Sequence, residues 1–145
     1  MNDLTVQTEK LEKSSGEEHL VGIISDASRR KRVFRVETFD IIVTDRRLIF
    51  VVMPTAGGYQ HLYGEVPHSR ILAEDERNFS IERSQVKAVR LTEGRVYVDC
   101  CRKRQEENGS LEIDATDKSY TFSLPHLAAL RAKQILQGTG LPIKR

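Results

Sequence analysis

The stretch FDIIVTDRRLIFVV, Phe39 to Val52, decides how this chain folds. It holds two runs dense in Ile, Val and Phe, Phe39 to Thr44 (FDIIVT) and, continuing one residue further, Leu48 to Met53 (LIFVVM). Only Asp45-Arg46-Arg47 separates them. Two β-branched runs on so short a polar link make an antiparallel hairpin. Both runs are too apolar to lie at an unprotected sheet edge, so the hairpin is expected at the centre of a sheet. Ile42, Leu48 and Phe50 are its core candidates.

Toward the N-terminus the pattern weakens. His19 to Ser25 is a short β-rich run, and Ser28 to Arg32 (SRRKR) is a concentrated positive loop or strand end. Residues 1–17 are polar apart from Leu4, Val6 and Leu11 and read as a flexible arm. The folded domain is expected over 18–140, with 141–145 as a tail.

Toward the C-terminus, Pro54 to Asn78 interrupts the strands with Pro54, Gly57-Gly58, Gly64 and Pro67. A link of about 25 residues is long inside a compact domain and usually carries function or lacks order. Ser69 to Arg77 is a candidate short helix. Tyr59, His61, Leu62 and Tyr63 form an apolar and aromatic tip, a candidate interaction loop.

Strand character resumes at Phe79, with Ile81, Val86, Val89 and Leu91 as buried candidates and a bend expected near Ser84-Gln85. Val96, Val98 and Cys100 alternate against Tyr97, Asp99 and Cys101. Asn108-Gly109 reads as a turn, followed by alternation at Leu111, Ile113 and Ala115. After Asp117-Lys118 comes a last alternation at Tyr120, Phe122 and Leu124. These segments are expected to form a meander of two hairpins. His126 to Gln137 is built of good helix formers, with Ser123 as a cap, Pro125 in the first turn and Gly138 as the stop. Ala128, Ala132, Ile135 and Leu136 share one face. The expected fold is mainly β: a barrel or sandwich of about seven antiparallel strands capped by one C-terminal helix.

Composition fits that class. The chain has 145 residues, 39% hydrophobic and 30% charged, with 23 Lys+Arg against 21 Asp+Glu. This is the balance of a folded soluble domain. Two cysteines rule out a disulfide scaffold. The longest apolar run falls far short of the roughly 20 residues of a membrane helix. The N-terminus has no cationic segment followed by an apolar one, so a cytoplasmic setting is expected. Asn78-Phe79-Ser80 and Asn108-Gly109-Ser110 match the glycosylation acceptor pattern and read as chance matches there.

The segment Phe39 to Val52, with its phrase VTDRRLIF, resembles the second and third strands of bacterial and archaeal pleckstrin-homology-like (PH-like), or GRAM-like, domains. SIERSQVKAVRL (Ser80 to Leu91) is similar to a later strand of that group. SYTFSLPHLAALRAKQILQGTG (Ser119 to Gly140) is similar to its last strand and capping helix. The resemblance implies a PH-like fold and a binding module, and some members form rings through sheet edges. In eukaryotic PH domains the loop between the first two strands is basic and holds a phosphoinositide headgroup. SRRKR occupies that place, which implies an anion-binding group of Arg29, Arg30, Lys31, Arg32 and Arg35. Arg30-Lys31-Arg32 fits the short basic element, while the spaced upstream Lys is missing.

No catalytic motif stands out. The chain lacks a nucleophile elbow, HExxH, a Walker-type loop and CxxC. Glu74-Asp75-Glu76 reads as a solvated face, and the His61, Glu65, His68 spacing matches no zinc pattern. Cys100 and Cys101, as strand neighbours, are expected to point to opposite faces, one thiol in the core and one exposed. The expected function is a non-catalytic binding or assembly module without cofactor, a homo-oligomer or the partner of another protein. The alternative is a membrane-peripheral binder of anionic headgroups through the basic run. Nucleic acid is disfavoured because few aromatics interleave with the charges. Open edges are expected at His19 to Ser25 or Val96 to Cys101, and they favour self-association over a monomer with edges blunted by charge.

Overall fold

The computed structural model describes residues 18–32, 35–53 and 68–144, with Arg32 and His68 by backbone only. The expected arm and the Tyr59, His61, Leu62, Tyr63 tip lie outside the described residues. Strands β1 (Leu20–Arg32), β2 (Arg35–Thr44), β3 (Arg47–Val52) and β4 (Phe79–Glu82) follow in order, with the short helix α1 (His68–Ala73) before β4. A single 3-10 turn, Arg83–Gln85, supplies the expected bend and leads into β5 (Val86–Thr92). Then come β6 (Val96–Val98), β7 (Arg104–Glu106), β8 (Gly109–Ala115), β9 (Ser119–Leu124), helix α2 (His126–Gln137) and β10 (Ile143–Lys144).

The hairpin of β2 and β3 forms as its sequence requires, with Ile41 opposite Phe50, Ile42 opposite Ile49 and Val43 opposite Leu48. Its polar link is tied down by its own side chains. Thr44 Oγ1 accepts the Arg46 and Arg47 N–H groups at 3.2 and 3.0 Å. Asp45 Oδ1 accepts the His19 N–H at 2.8 Å, and Arg47 Nε donates to Glu18 at 2.9 Å. The phrase TDRR thus closes the turn and clamps it to the start of β1.

Among the described residues the main sheet has eight strands, in the order β10-β5-β8-β9-β1-β2-β3-β4. All its pairings are antiparallel except β10 on β5. Phe39, Phe50, Phe122, Leu111 and Ile113 from both halves meet in one buried cluster, so the sheet folds over on itself without closing into a barrel. Five aromatic rings form its centre. Phe50 stacks on Phe79 (centroids 4.4 Å) and Phe122 (5.3 Å), Phe79 stacks on Tyr120 (5.4 Å), and Phe39 stands edge-on to Phe50, Phe79 and Phe122. Strand alternation sends Leu48 and Phe50 into this cluster and Ile42 to the opposite face. There Ile42, Ile49 and Val51 are buried under Ile71 of α1. Buried Asn78 joins the two elements: its Oδ1 accepts the Val52 N–H at 2.8 Å and its Nδ2 donates to the Ile71 carbonyl at 3.0 Å.

Helix α2 has the expected bounds but a slightly rotated face: Ala129, Ala132 and Leu136 are buried, with Ala128 and Ile135 partly so. Pro125 holds the N-cap position without a side-chain bond, and Ser123 belongs to β9 instead of capping. Gly138 is right-handed, and the left-handed residue beyond the helix is Gly140 (φ 73°). The helix lies very close to β1: a Cβ built at Gly22 would sit 2.7 Å from Ile135 Cγ1.

Several expectations need correction. β1 runs for 13 residues, so of the two readings of SRRKR, loop or strand end, the strand end holds. β1 is also central, and among the described residues the edges of the main sheet are β4 and β10. A bulge between Ile24 and Ala27, with Asp26 left-handed at φ 62°, lets this long strand bend. Within the stretch read as a tail, Leu141 is buried and the Val89 N–H donates to the Pro142 carbonyl at 2.9 Å. The Val96 to Cys101 segment does not join the meander. Among the described residues β6 pairs only with β7, in a separate hairpin, and β8 pairs with β5 instead. Gly109 opens β8, and a Cβ there would sit 2.2 Å from the Thr92 carbonyl and 2.8 Å from Ala129 Cβ. That glycine serves close packing of β5, β8 and α2, not a turn. Cys100 and Cys101 fall in the β6–β7 turn, and both are exposed.

Candidate anion-binding site

The basic run of β1 obeys strand alternation, and alternation divides it. Arg29 pairs in register with Glu37 and Arg30 with Val36. Arg29 and Lys31 face one side, where Glu37 lies between them with Oε1 3.4 Å from Arg29 Nη2 and Oε2 3.8 Å from Lys31 Nζ. Arg29 also lies over the rings of Phe39 (5.0 Å) and Phe79 (5.1 Å). Its planar cation therefore lids the aromatic core while its charge answers a buried carboxylate.

These groups line a cavity of about 480 Å³ at one end of the sheet. Lys118, from the β8–β9 turn, enters from one side with its Nζ 4.8 Å above the Tyr120 ring. Arg77 enters from the segment before β4. Glu76, Asn78, Phe79 and Ser80 complete the wall. Arg77 is held in a two-pronged pair with Asp75, at 3.0 and 2.8 Å. That hydrogen-bonded pairing raises the Arg77 pKa above its ordinary value. Asp75 thus serves as a positioning partner within the acidic triplet Glu74-Asp75-Glu76. Burial is the main cause that raises the Tyr120 hydroxyl above its ordinary value, followed by the Asp117 charge.

Of the residues expected to bind anions, the cavity contains Arg29 and Lys31. Arg30 is exposed, faces the other side and is not part of its lining. Arg35 borders an adjoining cavity of about 420 Å³, which shares Lys31, Glu37, Glu76 and Arg77 with the first. The Arg32 side chain lies outside the described residues. Arg77 and Lys118 were missed by sequence reading. Each stands far from Arg29 along the chain, and only the fold joins them.

A larger groove, about 650 Å³, lies between the end of α2, β5 and β10, with Leu91, Leu136 and Ile143 as its apolar part and Glu93, Lys133 and Lys144 at its polar part. Among the described residues, no group of three or more His, Cys, Asp or Glu is placed to hold a metal ion. Among the same residues, no helix is long and apolar enough to cross a membrane.

No family model matches the chain, and no curated protein matches it in sequence. Its fold is similar to that of the C-terminal domain of an unknown protein from Leishmania infantum, at 13% identity and a TM-score of 0.50, over 94% of this chain and 97% of that one. It also aligns with the hSac2 domain from the human phosphoinositide phosphatase Sac2, at 10% identity and a TM-score of 0.48, over 99% of this chain and 90% of that one. The first likeness is one of fold.

Proposed function

We propose that this chain is a non-catalytic binding module of the PH-like kind, and that it takes a phosphate-bearing anion at this end of its sheet. The observation that carries this reading is the convergence of Arg29, Lys31, Arg77 and Lys118 from three separate parts of the chain on one cavity. Arginine forks and lysine ammonium groups bind phosphate oxygens through charge-assisted hydrogen bonds. Glu37 and Asp75 offset part of the charge, and they also hold Arg29 and Arg77 in place, which lowers the ordering cost of binding. The strand order β1 to β4, then β5, β8 and β9 with α2 across the sheet, supports the PH-like assignment.

The phosphate can belong to a lipid headgroup, which would make the protein membrane-peripheral, or to a free phosphate ester. Calorimetric titration with a soluble inositol phosphate and flotation with vesicles of anionic lipid separate the two sources. Lys118→Glu combined with Arg77→Glu should abolish binding, and Arg30→Glu should leave the soluble ligand's affinity unchanged. Binding that survives the double reversal would overturn the reading.

A second reading, self-assembly, is supported by β4, which pairs with β3 on one side only among the described residues. Pairing with an identical neighbour would satisfy that edge. Light scattering decides it: a single 16.5 kDa species across a wide dilution range would overturn it.

A further inference from the structure

The β6–β7 hairpin stands outside the main sheet, and its tip is tightly built. Asp99 Oδ1 accepts the N–H groups of Cys101 (2.8 Å) and Lys103 (2.9 Å), and Asp99 Oδ2 accepts Gln105 Nε2 at 3.1 Å. The Arg102 N–H closes back on the Asp99 carbonyl at 3.0 Å, with Arg102 in the left-handed region at φ 60°. On a strand, adjacent side chains point to opposite faces. In this turn they do not: Cys100 Sγ and Cys101 Sγ lie 3.9 Å apart, and both residues are exposed.

We propose that Cys100 and Cys101 form a dithiol that is reversibly oxidised to a bond between neighbouring residues, with a small anionic disulfide such as oxidised glutathione as the oxidant. The thiolate of one cysteine attacks a sulfur of the small disulfide. That S–S bond breaks, and one small thiolate leaves and takes up a proton. The second cysteine, as thiolate, then attacks the protein-bound sulfur of the mixed disulfide and expels the second small thiol. The cysteine pair loses two electrons and two protons, and the small disulfide gains both. The exposed, cationic Arg102 and Lys103 beside the thiols attract an anionic reagent. Adjacent Cα atoms lie about 3.8 Å apart, below the ~4.4 Å lower limit of ordinary disulfides. The bond is therefore strained, and reduced glutathione in excess reopens it.

The test is exchange with oxidised glutathione on the folded, reduced chain, quenched by alkylation and read by mass spectrometry of the tryptic peptide Val96 to Arg102. The expected product is that peptide lighter by two hydrogens, carrying no glutathione and returning to the dithiol in excess reduced glutathione. Cys101→Ser should stop at a stable glutathione adduct on Cys100. Asp99→Ala, at an exposed tip that the core does not need, should slow closure several-fold. A wild-type chain that stays unreacted, stays as a mixed disulfide or links into dimers would overturn the proposal. So would an Asp99→Ala variant that closes as fast as wild type. None of these outcomes bears on anion binding at the other site.

Discussion

Arg29 and Glu37 face each other across the β1–β2 ladder, with Nη2 and Oε1 3.4 Å apart and the glutamate side chain 7% exposed. The same pair sits in the wall of the basic cavity, so its two halves act there in opposite directions. Glu37 holds the cation in place and also competes with any entering anion. Arg29→Ala should cost about 1–3 kcal/mol, because it leaves a buried carboxylate with a weaker partner, and it should weaken phosphate binding. Glu37→Gln should tighten phosphate binding instead. Denaturant titration and calorimetry on both variants read the two effects separately.

Phe50 is fully buried and touches Phe39, Phe79, Tyr120 and Phe122. Phe50→Ala should destabilise the domain by about 3–5 kcal/mol in chemical denaturation. A loss below about 1 kcal/mol would contradict the register of the hairpin.

Asp26 adopts a left-handed backbone within the β1 bulge. Asp26→Val should cost roughly 1–2 kcal/mol, because a β-branched residue resists that conformation. Asp26→Gly should be neutral or slightly stabilising. Thermal denaturation of the two variants gives the comparison.

Gly22 lies beneath Ile135 of α2 with no room for a methyl group. Gly22→Ala should lower stability by about 1–3 kcal/mol through overpacking. Shortening the neighbour, as Gly22→Ala with Ile135→Val, should recover part of that loss, since the two sites are in contact.

Asp99 accepts the Lys103 and Cys101 N–H groups and the Gln105 amide. These bonds hold its pKa below the ordinary value of 3.8, the Lys103 bond most strongly. A group whose folded pKa is depressed contributes stability above its unfolded pKa and loses it as the pH falls through the folded one. The hairpin tip should therefore stay ordered at neutral pH and loosen in acid below the usual aspartate range. Protection of the Lys103 and Cys101 amides, relative to the intrinsic exchange rate at each pH, should fall over that window, and in Asp99→Asn the fall should vanish.

The legible parts of the chain were those where local pattern and tertiary need agree. The β2–β3 hairpin carries dense β-branched residues on a short polar link, and α2 carries good helix formers between Pro125 and Gly138. The β6–β7 hairpin misled because Val96, Tyr97 and Val98 look like a half-buried strand, yet all three are exposed. Asn108-Gly109 misled because a glycine required for close packing looks the same in sequence as a glycine required for a turn. In the basic cavity, the run around Arg29 was visible as charge density. Its division by strand alternation depended on β1 extending as far as Arg32. Arg77 and Lys118 carried no local signal at all.

Strand β1 lies between β2, its neighbour along the chain, and β9, which is made almost a hundred residues later (Ser28 opposite Ser123). On a ribosome, β1 to β4 can assemble as a local meander while one flank of β1 still waits for its partner. That flank is an unpaired edge for as long as synthesis of the second half takes. The positive charges at its far end would then act before any ligand arrives, by repelling another nascent chain from the flank that β9 will cover.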